Sequence, residues 1–203
     1  MDQDLIDVLA RSRDLGFLGP GPVEPHVAHA LQLVDELDAL PAGGGQARVV
    51  DLGSGGGIPG LVLARALPSS RWVLLDANER RTAFLAESVV ELALEARVSV
   101  IRSRAERAGR DATLRGQFDA VVSRSFGAPA VTAECGAPFL TVGGRLFVSE
   151  PPTPDPARWP DEGLTELGLT AQSTGSWAVF EQTAPCPEKY PRREGQPGKR
   201  PLW

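Results

Sequence analysis

The chain is poor in the residues that carry most metal and redox chemistry. Its 203 residues include two cysteines, two histidines, one methionine and one tyrosine. Cys135 and Cys186 lie far apart and without ligand spacing, so neither a zinc site nor a disulfide framework is legible, and two scattered thiols fit a reducing cytoplasm. Aromatic residues make up 6% of the chain, which excludes a broad base-stacking platform; Phe126 is the best single stacking candidate. Lys189 and Lys199 are the only lysines, and the net charge is −5. A protein coated in positive charge for nucleic acid is thereby excluded, while a local basic patch is not. No apolar run approaches the roughly 18 residues of a membrane span, and Met1-Asp2-Gln3-Asp4 does not open a signal peptide. There are no repeats. The length suits one α/β domain with small extensions.

What is present centres on Arg48 to Gly60, R-V-V-D-L-G-S-G-G-G-I-P-G. A short apolar run meets glycines at once, the pattern of a buried parallel strand ending in a tight turn. Pro59 suits the first turn of a following helix over Leu61 to Leu67. Glycines let backbone approach a ligand, and free N–H groups at the turn are expected to attract an anion. Gly55-x-Gly57-x-x-Gly60 fits a dinucleotide pattern, but Asp51-x-Gly53-x-Gly55-x-Gly57 fits too. A carboxylate at the strand end would repel a pyrophosphate and suit the ammonium group of S-adenosylmethionine (SAM). This acidic, glycine-spaced form resembles the first motif of class I SAM-dependent methyltransferases.

Along the rest of the chain, residues 2–15 predict an amphipathic helix and Gly16 to Pro25 a loop. Val27 to Leu40 predicts a second helix with Leu31, Val34, Leu37 and Leu40 along one stripe and His26 and His29 near its start, then a glycine-rich connector from Pro41 to Gln46. Arg71 to Asp76 reads as a second strand whose terminal acid sits where βαβ geometry meets ribose hydroxyls. A long helix from Glu79 to Glu95, with Phe84, Leu85, Val89, Leu92 and Ala93 inward, precedes a third strand at Val98 to Ile101. The loop after it, around Ala105-Glu106, is placed to read an adenine edge. Phe118 to Ser123 is the fourth strand, with Arg124-Ser125-Phe126 just past its end. A helix from Pro129 to Leu140, a fifth strand from Arg145 to Ser149 and a hairpin of Leu164 to Leu169 with Trp177 to Glu181 follow. The last residues gather Lys189, Arg192, Arg193, Lys199 and Arg200 among prolines and glycines that argue against a helix; they form either a solvated tail or an arm holding phosphates.

Five segments carry a narrower resemblance: V-V-D-L-G-S-G-G-G-I-P-G, L-L-D-A-N-E-R-R-T-A-F-L, S-R-A-E, F-D-A-V-V-S-R-S-F and K-Y-P-R-R-E-G-Q-P-G-K-R-P-L. Together they resemble the RsmG (GidB) family, bacterial methyltransferases of a guanine N7 in small-subunit ribosomal RNA. The resemblance implies a Rossmann-like, mostly parallel seven-stranded sheet with a C-terminal antiparallel hairpin. It implies SAM held by Asp51, Gly53, Ser54, Gly55, Gly57, Asp76, Ala105 and Glu106, with Arg124 bordering it. Arg124, Arg192 and Arg193 match family arginines tied to activity or RNA contact. The expected organisation is an N-terminal helical extension (1–46), a methyltransferase domain (47–187) and a basic arm packed on it (188–203), as a cytoplasmic monomer without metal, acting on the small ribosomal subunit.

Two departures fall on the substrate side. The segment before the histidine-containing helix is the short D-L-G-F-L-G-P-G-P-V-E-P, and Glu150 stands where the family leads into a lysine. They leave room for another RNA or small-molecule substrate, or for a non-catalytic SAM- or RNA-binding protein. A nicotinamide-dependent oxidoreductase is disfavoured by Asp51 and by the lack of a recognisable Tyr/Lys or His hydride-transfer pair.

Overall fold

The computed structural model describes residues 2–40 and 45–203, so most of the expected glycine connector lies outside the described residues. The residues group into two compact units, one running to Ser103 and the other from Arg104 to Trp203.

In the first unit, α1 (Gln3–Asp14) presents Leu5, Val8, Leu9 and Ser12 inward, the i, i+3, i+4, i+7 spacing of one helix face, and Asp2 caps it by accepting the Leu5 N–H. The helix expected over residues 27–40 is two shorter ones, α2 (Glu24–Leu31) and α3 (Val34–Asp38). The expected stripe holds at Leu37 and Leu40 but fails in its first half. Val27, Ala30, Leu33, Leu37 and Leu40 are buried, whereas Leu31 is exposed, because the turn at Gln32-Leu33 resets the helical phase before Leu37 is reached.

Three parallel strands follow, β1 (Arg48–Leu52), β2 (Arg71–Asp76) and β3 (Val98–Arg102), ordered β3-β2-β1. Val50 pairs with Val73 and Leu74 with Val100; β1 and most of β2 are buried, while β3 buries only Val98. The crossovers are α4 (Gly60–Ala66) and α5 (Glu79–Glu91). Asn78 starts α5 by accepting the Arg81 N–H. That helix stops earlier than expected. Ala93 is exposed and has a φ of 52°, the Ala93 N–H reaches Val90 O, and the Leu94 N–H reaches Val89 O. This closing motif needs a left-handed residue, which alanine adopts at a cost. Ala93→Gly should therefore raise stability by about 1 kcal/mol, measurable as a shift of the urea midpoint.

The second unit contains α6 (Ala105–Ala108), β4 (Phe118–Ser123), α7 (Pro129–Gly136), β5 (Leu140–Ser149), α8 (Asp161–Glu166), β6 (Leu169–Thr174), β7 (Trp177–Gln182) and α9 (Gln196–Lys199). Its strands run β4-β5-β7-β6, β4 and β5 parallel and the last two joined as an antiparallel hairpin. The helix expected to reach Leu140 ends in a 3-10 turn at Ala137–Phe139, and β5 begins at Leu140, five residues earlier than the sequence suggests. The strand expected over Leu164 to Leu169 is instead the end of α8 and a turn. Asp161 and Glu162 favour a helix N-terminus, and Gly168 turns at φ 78° where a methyl would lie 2.3 Å from Ala184 O. The tail, read as non-helical, contains the single turn α9, with Pro197 in its first turn where a missing N–H is tolerated. Phe118 and Phe139 meet edge to face, and Phe147 and Phe180 are fully buried. With both units, seven strands make the mixed sheet the sequence led us to expect.

Candidate SAM site

Strand β1 delivers Asp51 to the base of the glycine loop. Its carboxyl group is fully buried, and Oδ2 accepts the Gly60 N–H at 3.0 Å. Gly60 is required there by space: a methyl would sit 2.3 Å from Asp51 Oδ2 and 2.6 Å from Leu74 Cδ2. Asp51 Oδ1 has no hydrogen-bond partner among the described residues. Burial raises this carboxyl to a pKa of about 7, opposed by Ser54 and the Gly60 N–H and aided by the charge of Asp76. Burial thus favours the neutral form of Asp51, and a cation beside it would favour the charged one.

Strand β2 delivers Asp76, nearly buried, whose Oδ2 accepts the Gly55 N–H at 2.9 Å and whose Oδ1 accepts the Asn78 N–H at 2.8 Å. Each oxygen keeps a lone pair for a further donor, which suits two ribose hydroxyls. Arg81 Nη1 lies 3.9 Å from Oδ2.

The loop between them corrects one expectation. Five of its amide groups do not stand free for an anion. Gly53 and Ser54 both donate to Leu75 O, Gly55 to Asp76, Gly57 to Ser54 O and Gly60 to Asp51. A phosphate would find these donors taken, whereas SAM carries no phosphate and needs room and acceptors instead. The room is at Gly55 (φ 55°), where an added methyl would meet only Gly53 O, at 3.6 Å. Gly57, by contrast, packs against Leu61 and Leu85, and Gly56 against Ser12 and Leu18. A single face of the loop is thus open to a ligand, and the orphaned Asp51 Oδ1 below it fits the ammonium of SAM.

The titration of Asp51 gives a testable sign. The unfolded carboxyl ionises near pH 3.9, so between about pH 4 and 7 the folded chain holds the extra proton. Stability from this group is then greatest below pH 4 and falls as pH rises to 7. Urea denaturation at pH 5 and pH 7.5 should show Asp51→Asn losing that slope, with the variant gaining on the parent by a few kcal/mol at the higher pH.

In the second unit, the residues expected to serve the cofactor and the substrate are held as follows. Arg124 follows β4 and is half-buried, and burial lowers its guanidinium pKa; Ser125 beside it has a φ of 56°. Ala105 and Glu106 open α6 and are buried, and the Glu106 carboxylate accepts the Gly195 N–H at 2.9 Å with Arg104 at 3.5 Å. Arg192 donates Nε and Nη2 to the fully buried Glu134 at 2.9 and 2.6 Å, and its own N–H joins Glu134 Oε1 at 2.8 Å. That bidentate pair raises the Arg192 pKa and anchors the tail. Arg193, next to it, is exposed. Arg115 gathers the carbonyls of Cys186, Pro187 and Tyr190, and Tyr190 is buried with its hydroxyl on Glu166. Glu150 does not confront substrate as an unpaired acid. It accepts from Arg158 at 2.5 Å and from the Trp159 indole at 3.0 Å, closing the loop behind β5. Sequence reasoning missed Glu134 and Ser12. Their signals were an acid in the otherwise apolar α7 and a hydroxyl on the buried stripe of α1.

Among the described residues, no group of three or more His, Cys, Asp or Glu could hold a metal ion, and no helix is long and apolar enough to cross a membrane.

The architecture is that of the class I SAM-dependent methyltransferase fold. An O-methyltransferase from Bacillus cereus solved with S-adenosylhomocysteine matches 89% of this chain and 90% of its own at a TM-score of 0.61 and 17% identity. An O-methyltransferase from Streptomyces achromogenes solved with SAM matches 91% of each chain at 0.61 and 17%. Residues 22–150 match the family model GidB, rRNA small subunit methyltransferase G. Proteins called ribosomal RNA small subunit methyltransferase G share 33% identity over 173 residues in Prochlorococcus marinus (76% of this chain, 67% of the relative) and 36% over 171 in Parasynechococcus marenigrum (75% and 66%). The one from Moorella thermoacetica is 33% identical over 189 residues, 87% of this chain and 77% of its own. The chain therefore spans about two thirds of the length of the first two relatives. It belongs to the GidB family of small-subunit ribosomal RNA methyltransferases.

Proposed function

We propose that this chain transfers a methyl group from SAM to N7 of a guanine in small-subunit ribosomal RNA. The observation that carries the reading is the loop between Asp51 and Asp76, with five of its amide donors internally spent and one buried carboxyl oxygen left without a hydrogen-bond partner, in a chain of this family. When bound, SAM supplies an electrophilic methyl on a sulfonium. Asp51 would hold its ammonium, Asp76 the ribose, the loop at Gly53, Ser54, Gly55 and Gly57 its backbone-facing side, and Ala105 and Glu106 the adenine edge.

Guanine N7 offers a lone pair and carries no proton, so no general base is required. The protein's task is alignment, and holding two reactants in attack geometry supplies much of the acceleration. We assign Arg124 and Arg193 to substrate phosphates or the guanine O6, and Arg192 to anchoring the arm that presents Arg193. The functional division we propose is an extension over residues 1–46, the methyltransferase domain over 47–187 and the arm over 188–203, in a cytoplasmic monomer.

The test is methyl transfer from labelled SAM to small ribosomal subunits, naked ribosomal RNA and a metabolite pool. Label at a guanine N7 supports the reading. Label on another RNA position or on a metabolite makes the chain a methyltransferase of different specificity, and SAM binding without any product makes it a binding protein.

A further inference from the structure

The segment Arg11 to Leu18 lies before the stretch that matches the family model, yet it closes on the glycine loop from behind. The Ser12 hydroxyl, fully buried, donates to the Gly56 carbonyl at 2.8 Å. Gly56 leaves no space on that side: a methyl would stand 2.5 Å from Ser12 Oγ and 2.7 Å from two atoms of Leu18. The same segment also grips α5. Phe17 meets Phe84 edge to face at 5.7 Å, with the Arg80 guanidinium 5.7 Å above the Phe17 ring. Arg11 lies 5.7 Å over Phe84 and pairs with Glu91. The chain turns between these grips through a helix end in which the Gly16 N–H reaches Arg13 O and the Phe17 N–H reaches Ser12 O.

We infer that residues 11–18 are a brace that fixes the glycine loop against α5, with Ser12 as the positioning residue. The loop carries Gly55, whose N–H is bonded to Asp76, and α5 begins three residues after Asp76. Bracing loop and helix together sets the separation between the acceptor for the ribose and the open face at Gly55. The inference rests on the SAM reading for its functional consequence, while the bracing itself does not. Ser12 touches no reacting atom and acts only through Gly56.

The experiment compares the parent with Ser12→Ala and with Thr132→Ala, which removes a hydroxyl bonded to Gly127 and Ala128 carbonyls in the second unit. Hydrogen exchange should speed at residues 55–57 in Ser12→Ala and stay unchanged there in Thr132→Ala. The SAM dissociation constant should rise on the order of tenfold in Ser12→Ala alone, with turnover at saturating SAM near the parent value. A Ser12→Ala chain with parental loop exchange, or with faster exchange but parental SAM affinity, overturns the inference. Equal weakening of SAM in both variants would make the effect one of general stability and overturn it too. If the parent binds no SAM, the methyltransferase reading fails, and the exchange comparison still decides whether Ser12 holds the loop.

Discussion

Asp76→Ala should weaken SAM binding by at least about a hundredfold. The substitution removes two kinds of bond at once. The Gly55 and Asn78 N–H groups lose their acceptor, so the loop and the start of α5 lose the group that ties them together. The two ribose hydroxyls proposed to bind there lose a charged acceptor, and bonds to charged groups contribute about 1.5–3 kcal/mol each. Two of them correspond to at least about a hundredfold in affinity. Asp76→Asn keeps one acceptor oxygen and should fall between. Calorimetric titration of SAM into the folded variants checks this order.

The second large effect is on stability. Arg192→Ala should cost about 3–5 kcal/mol, because it strands the fully buried Glu134 as an uncompensated charge. The thermal midpoint should fall by many degrees, and the tail from Tyr190 onward should become protease-sensitive. Replacing both partners together, as Glu134→Leu with Arg192→Met, should recover most of the loss, since removing both charges removes the desolvation penalty. A purely substrate-binding arginine would behave differently: Arg192→Ala would keep the parental midpoint and lose only turnover. Arg193→Ala is expected to show that second pattern.

Much of the first unit was legible because its signals are local. Val49-Val50 before glycines makes a buried strand, and the acids at 51 and 76 close their strands at the spacing of a βαβ crossover. The phase of residues 27–40 was not legible, because the break at Gln32-Leu33 carries neither proline nor glycine. The hairpin was found but its first strand was placed early, since Leu164 and Leu167 are buried residues of a helix and its exit, and periodicity alone does not separate the two.

The site divided in the same way. Motif spacing identified Asp51, Asp76 and the glycines as a group, but could not reveal that five of the loop amides are consumed internally or that burial lifts Asp51 to about 7. Those depend on backbone paths that meet only in the folded unit. The tail was read as a choice between solvated and packed. The residues that hold it, Glu106, Arg115 and Glu134, lie tens of positions earlier in the chain and look like ordinary surface charges in one dimension. Glu150, which stands where the family leads into a lysine, is bonded to Arg158 and Trp159 eight and nine residues on.

The most direct test of the cofactor site is a pair of calorimetric titrations, SAM and NAD into the parent chain, repeated with Asp76→Ala. The site described here predicts one SAM per chain, no NAD binding, and loss of SAM binding in the variant. NAD binding to the parent, or SAM binding unaltered by Asp76→Ala, would contradict it.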